Sequence, residues 1–280
     1  MEEGDVKSLH RARIASRRLR ELVPMLQLDA DVSRKLGRRL RRVTAQLGAV
    51  RELDVMVLMI DELQATYPNH RDALIRVGAA VSKSREIARK RLRERAPVDE
   101  MARLARKLDR TVVALREEEA SQSPRRAARA WLWAMEARLA RRAERLASAI
   151  EGAGAVYLPD RLHDVRISLK KFRYALELVS EAGGTNKAQA LRDLKRAQAL
   201  LGRMCDLQVL INRVRDLQAS LAPPTLTAWR GLDALIVSLD ESCRRLHARY
   251  VRQRDLLHAT ASKIASRPST PAPRSQRRAG

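Results

Sequence analysis

Aromatic side chains are scarce in this 280-residue chain: they make up 3% of it, with a single Phe, three Trp and four Tyr. Proteins that hold single-stranded nucleic acid stack bases on aromatic rings, so the scarcity favours a ligand of phosphate without bases. Cysteine is scarcer still. Cys205 and Cys243 form neither a metal-ligand spacing nor a disulfide framework, as expected in a reducing cytoplasm. No apolar run approaches the ~20 residues that a bilayer span requires. The acidic start Met-Glu-Glu-Gly-Asp lacks the basic and apolar regions of a signal peptide. A soluble cytoplasmic protein with no membrane contact is expected. Walker-type loops, Gly-x-Ser-x-Gly elbows and paired carboxylates at a site are also missing. Neither histidine singled out below has a His/Cys/Glu cluster around it. The expectation is a binding protein without catalysis, metal or cofactor.

Acidic residues are in deficit too. Against 57 Lys and Arg stand 33 Asp and Glu, a net charge of +24. The stretch from Ser266 onward holds four arginines and no acid, so most of the excess belongs to the body of the chain. Charge of that size implies a polyanionic partner.

What is abundant is helical pattern. Apolar residues recur at intervals of three and four, and alternating strand-type runs are absent. Breaks at 67–69, 96–98, 121–124, 152–160, 183–185 and 222–224 predict helices near 5–27, 31–66, 70–95, 98–119, 125–151, 160–182, 186–221 and 225–264. Asp160 is placed to cap the sixth. The Ser/Pro/Arg-rich end, 266–280, reads as a disordered basic tail.

Two of these helices carry one unusual pattern. Leu9-His-Arg-Ala-Arg-Ile-Ala-Ser-Arg-Arg-Leu-Arg20 and Leu162-His-Asp-Val-Arg-Ile-Ser-Leu-Lys-Lys-Phe-Arg173 each place cations three, seven, eight and ten residues after a histidine. At about 100° per residue, the first, second and last of those offsets fall within roughly 80° of the histidine and of one another. His10, Arg13, Arg17 and Arg20 thus form one stripe, and His163, Arg166, Lys170 and Arg173 form its twin. Like charges in a stripe do not help a helix fold, so a strongly anionic ligand is their expected purpose. Ala15, Leu19, Leu22, Val23 and Leu26 lie opposite the first stripe; Val165, Phe172, Ala175, Leu176 and Val179 lie opposite the second.

The next helix of each half repeats the logic. Arg34, Arg38, Arg41, Gly48 and Arg51 share a face opposite Leu36, Leu40, Val43, Leu47 and Val50. The second copy has Arg192, Lys195, Gly202 and Cys205 on the corresponding face. Gly48 and Gly202 leave room either for a phosphate chain or for a neighbouring helix. Glu52 and Asp206, on the same face, are suited to orient arginines. Cys205 stands where Arg51 does, so the two copies are unequal in charge. Duplication argues for two similar bundles, 1–120 and 121–265. The helix at 125–151, with Trp131, Leu132, Met135, Leu139, Leu146 and Ile150 on its apolar side, has no counterpart ahead of the first stripe.

These paired stripes, followed by Leu47-Gly-Ala-Val-Arg-Glu-Leu-Asp-Val55 and Leu201-Gly-Arg-Met-Cys-Asp-Leu207, resemble the signature of the CHAD family, the conserved histidine α-helical domain. The resemblance runs from about residue 5 to 264. It implies an all-α fold of two bundles related by pseudo-twofold symmetry, with long antiparallel helices around a basic central groove or pore. It also implies binding of inorganic polyphosphate and association with polyphosphate granules. Carried over by position, the contacts are His10, Arg13, Arg17, Arg18, Arg20, Arg38, Arg41 and Arg42 in the first half. In the second they are His163, Arg166, Lys170, Lys171, Arg173, Arg192, Lys195 and Arg196. Arg51 joins them from the helical-face argument. Glu52 replaces the family's more usual Asp. The Glu-x-Glu-x-Lys motif of a fused triphosphate-tunnel hydrolase is absent, which fits a stand-alone, non-enzymatic module. Nucleic acid is the alternative partner, and a dimer is one way to complete the first bundle.

A site can be told from bulk charge by two double variants. Arg17→Glu/Lys170→Glu should cost at least tenfold more polyphosphate affinity than Arg274→Glu/Arg277→Glu in the tail. Equal losses in a filter-binding titration would reduce the stripes to diffuse charge.

Overall fold

The chain is described here by a computed structural model covering residues 3–26, 28–94, 98–120, 124–183, 187–222 and 225–266. The tail expected over 266–280 lies, but for Ser266, outside them. The order is α1 (Glu3–Leu22), α2 (Ala30–Thr66), α3 (Arg71–Glu94), α4 (Val98–Ala120), α5 (Pro124–Ala153), α6 (Pro159–Gly183), α7 (Ala188–Ala219) and α8 (Leu226–Ala265). No strand occurs among the described residues. The fold is all-α, as the periodicity requires.

Helix ends follow local chemistry. α1 stops at Leu22, short of the expected residue 27, and gives way to a 3-10 turn at Val23–Met25. Pro24 explains it, since proline has no N–H and its ring clashes with the preceding helical turn. Asp29 then caps α2, its carboxylate accepting from the Asp31 N–H at 2.8 Å and the Val32 N–H at 3.2 Å. Asp160 does not cap α6. Pro159 takes the first helical position and Asp160 falls inside the first turn, where proline is pre-organised and a carboxylate suits the helix dipole.

The second half closes on itself: α5 packs on α6, α6 on α7, α7 on α8 and α8 back on α5. Leu146, Ile150, Val165, Leu169, Phe172, Leu201, Ile211, Leu235 and Tyr250 are fully excluded from solvent inside this ring. Burying a side chain the size of Phe172 contributes about 1.5–3 kcal/mol. The same apolar cluster continues into the first half through Leu53, Met56, Ile60 and Leu63 of α2 and Leu74, Val77 and Val81 of α3. α3 also meets α7 and α8.

The rest of the first half has a smaller core. Val23, Leu36, Leu40, Val43 and Leu47 pack with Leu104 of α4. Every apolar residue expected behind the second stripe is buried, whereas of the set behind the first only Val23 is, with Ala15 exposed. Packing partners account for the contrast. α6 is held between α5 and α7, while α1 lies mainly on α2 and reaches across to α6. That α1–α6 contact brings the two histidine-headed helices together.

Candidate functional site

Where α1 crosses α6, the two stripes line one cleft of about 450 Å³. His10, Arg13 and Arg17 come from α1, and His163, Arg166, Lys170 and Arg173 from α6. Arg51 and Glu52 come from α2, and Gln198, Gly202, Cys205 and Asp206 from α7. The heptad-like spacing of the cations sets this geometry, because residues seven apart return to nearly the same side of a helix. Both histidines remain open to solvent, while the arginines and Lys170 are half-buried.

Six lysine and arginine side chains share this cleft with two carboxylates, and their ionisation records the imbalance. Burial, followed by Arg17, Arg166 and Arg13, holds the Lys170 ammonium down to about 7, with Asp206 opposing weakly. Arg13 is lowered to about 10 by burial and then by Arg17, with Glu52 pulling the other way. Burial, then Arg51, Arg13 and Arg17, also lowers His10. Asp206 is raised, since its own burial outweighs Arg166 and Lys170. Cations depressed by burial and by neighbouring like charge in this way are stabilised by any anion that enters.

Neutralisation within the cleft is selective. Arg166 Nη2 donates to Asp206 Oδ1 at 3.4 Å, the orienting role expected of that acid. Arg173 is the most restrained: its Nε donates to Gln198 Oε1 at 2.8 Å and its head lies 4.5 Å from the Tyr174 ring centroid. It also pairs with Glu177. The matching position in the first copy is Pro24, so Arg20 has no equivalent acid, and it lies outside the cleft. Lys195 approaches the same Glu177 at 4.0 Å.

The two glycines serve arginines. A Cβ at Gly48 would lie 2.5 Å from Arg13 Nη1, so the guanidinium of α1 crosses directly over the α2 backbone there. Gly202 stands in the same relation to Arg166 Nε, more loosely, at 3.9 Å. The space is taken by a side chain of the neighbouring helix, a narrower form of the helix-packing alternative. Arg13 Nη1 is buried at that crossing without a hydrogen-bond partner.

Several of the sequence-derived contacts lie elsewhere. Arg38, Arg41 and Arg42 are exposed on α2, and Arg192, Lys195 and Arg196 on α7; none lines the cleft. Arg192 donates to Gln189 and Arg196 pairs with Asp193 at 3.2 Å. Arg18 is joined to Glu181 at 2.7 Å. Arg20 and Lys171 face a separate group built on Glu21 of α1 and Arg138 and Arg142 of α5. The sequence pattern marks α5 as a core helix and assigns it no part in a site. The available signal was the spacing of Arg138 and Arg142, one helical turn apart on a helix otherwise chosen for its apolar side.

Fold and cleft together define a class: an all-α domain in which two histidine-headed basic helices share one cation-rich cavity. The sequence profile of the CHAD domain matches residues 1–215, and the chain belongs to the CHAD domain family. That match ends inside α7, short of the span suggested by the motifs and before α8. No curated protein matches the chain. Among the described residues no helix is long and apolar enough to cross a membrane.

The glycine crossings make a stability prediction. Gly202→Ala should stabilise the protein by about 0.5–1 kcal/mol, since its Cβ fits and a helix interior favours Ala. Gly48→Ala should gain less, because Arg13 must move aside. Urea unfolding of the two variants gives the comparison, and an equal gain in both would contradict the Arg13 crossing.

Proposed function

We propose that the chain binds inorganic polyphosphate in the cleft between α1 and α6, without turning it over. The reading rests most on one observation: matched stripes from distant parts of the sequence line a single cavity whose cations outnumber its acids. The general ability of CHAD domains to bind polyphosphate supports it. Each half, 1–120 and 121–265, supplies one wall of a basic groove, and the halves are related by pseudo-twofold symmetry. Arg13, Arg17, Arg51 and Arg166 offer forked donors that match phosphate oxygens. Lys170 and the histidines add point contacts that strengthen on protonation. Asp206 is turned to Arg166 and Glu52 acts on Arg13, so the two carboxylates serve to place arginines. Association with polyphosphate granules follows as part of this proposal, through a ligand long enough to engage many copies at once.

Polyphosphate carries roughly one charge per phosphate, so counterion release should dominate affinity and salt should weaken it steeply. The deciding experiment is competition at physiological salt and matched phosphate concentration. Long-chain polyphosphate should displace duplex DNA readily. Equal affinity for the two ligands would favour the nucleic-acid reading and defeat this one.

The depressed Lys170 gives a second prediction. A bound anion raises the pKa of Lys170, so the complex holds more protons than the free protein near neutrality. The Lys170 contribution to affinity is therefore fully developed below about pH 7 and falls as pH rises above it, by at most about tenfold per unit for one linked proton. Lys170→Met should bind more weakly at pH 6.5 and show a flatter profile from 7 to 9. An unchanged slope in that variant would remove Lys170 from the site.

A further inference from the structure

A smaller cavity of about 160 Å³ opens beside the cleft at its His163 end. The two share His163, Cys205 and Val209. Their chemistry differs. No lysine or arginine lines the small cavity among the described residues, and Asp160 stands on its wall, so it disfavours phosphate itself. Leu162, Met204 and Val209 make it apolar, Tyr157 supplies a ring, and Gln208 and Asn212 supply amides. An apolar cavity of ~150 Å³ is large enough to hold one benzene ring.

Aromatic rings are rare in this chain, yet three ring side chains gather here. Tyr157, in the segment between α5 and α6, has its centroid 5.3 Å from that of His247, which lies 6.1 Å from Tyr250. His247 and Tyr250 of α8 are buried, so the Tyr157 ring is braced from behind. Its hydroxyl donates to Gln208 Oε1 at 3.2 Å, and Gln208 Nε2 reaches Asn212 Oδ1 at 3.5 Å. Ring and amides are thus held as one set. Amides carry both donors and acceptors and suit the edge of a nitrogen heterocycle. At the matching positions the first copy has Gly4, Asp54 and Leu58, so only the second half is equipped in this way.

The geometry points to a binding site for a pyrimidine nucleoside 5′-triphosphate, with the base in the small cavity against Tyr157 and the triphosphate passing His163 into the cleft. It rests on the proposed binding of phosphate chains in the cleft and adds a specificity to it. Along α6, Arg166 lies ~4.5 Å and Lys170 ~10 Å beyond His163, so successive phosphates meet the stripe in order. The cavity has room for one ring and not for the fused pair of a purine. An inorganic chain has no uncharged group to place there and leaves the cavity unused.

The test is titration of the full chain with UTP, ATP and tripolyphosphate at physiological salt. Charge alone ranks tripolyphosphate first. Stacking on Tyr157 should instead make UTP bind about tenfold more tightly than tripolyphosphate, with ATP between them. Tyr157→Leu should bring UTP down to the level of tripolyphosphate and leave the latter unchanged, while Tyr157→Phe should keep most of the gain. Asn212→Leu alters an exposed residue and introduces the side chain found at the matching position of the first copy. It should weaken UTP about threefold and leave tripolyphosphate unchanged. UTP no tighter than tripolyphosphate, ATP as tight as UTP, or an Asn212→Leu loss that is absent or shared equally by both ligands would each overturn the base pocket. The cleft reading is judged separately by Arg17→Glu/Lys170→Glu, which should weaken UTP and tripolyphosphate alike. If it weakened neither, cleft binding would fail whatever Asn212 showed.

Discussion

Holding two cationic helix faces against each other is the constraint around which this molecule is arranged. Burial and the neighbouring charges of Arg17 and Arg166 lower the tendency of Arg13 and Lys170 to carry charge, and that repulsion opposes the α1–α6 contact. Apolar packing behind the cleft offsets it. α6 is anchored by Leu162, Val165, Leu169, Phe172, Ala175 and Leu176, each almost wholly excluded from water. α1 has no comparable anchor on its own apolar side and relies on α2, where Leu36, Leu40, Val43 and Leu47 gather with Val23. The rigid wall is α6; α1 is the more lightly held one.

Four acids are placed where they control arginines. Asp54, almost fully buried, accepts from Arg85 at 2.6 Å and Arg89 at 2.8 Å and ties α3 to α2. Glu21 does the same for α1 and α5 through Arg138 and Arg142. Buried acids of this kind are costly to strip of their partners, so both pairs act as joints between helices. Glu177 restrains Arg173 at one end of the cleft, and Asp206 steers Arg166 within it. These acids serve architecture and orientation, and positive charge stays in excess at the cleft. On the proposed reading, a polyanion completes this charge balance from outside.

Such a site is responsive by construction. A lysine lowered to about 7 by burial and neighbouring arginines changes charge over the neutral range, where an ordinary lysine does not. Ligand and protons thus act on the same group. On the proposed reading, the burial and like charge that lower Lys170 are also what a phosphate chain offsets, so affinity and pH sensitivity have one origin.

Much of this was legible in the chain itself. Periodicity marks the eight helices of the described residues, all but α1 nearly to their ends, because apolar spacing and the Pro and Gly breaks are local signals. The twin stripes identified His10, Arg13, Arg17, His163, Arg166, Lys170 and Arg173 as sharing helix faces, and Arg51 followed from the next helix. Local pattern could not say which cations meet across helices. Arg38, Arg41 and Arg192 share faces with cleft residues yet sit too far along their helices to reach it. Nor could sequence show that Gly48 gives way to Arg13, or that Glu21 gathers arginines from α5 more than a hundred residues later. A helix face is fixed by the 100° turn between neighbouring residues. Which faces meet, and at what depth a charge is buried, is fixed by packing between helices far apart in the chain.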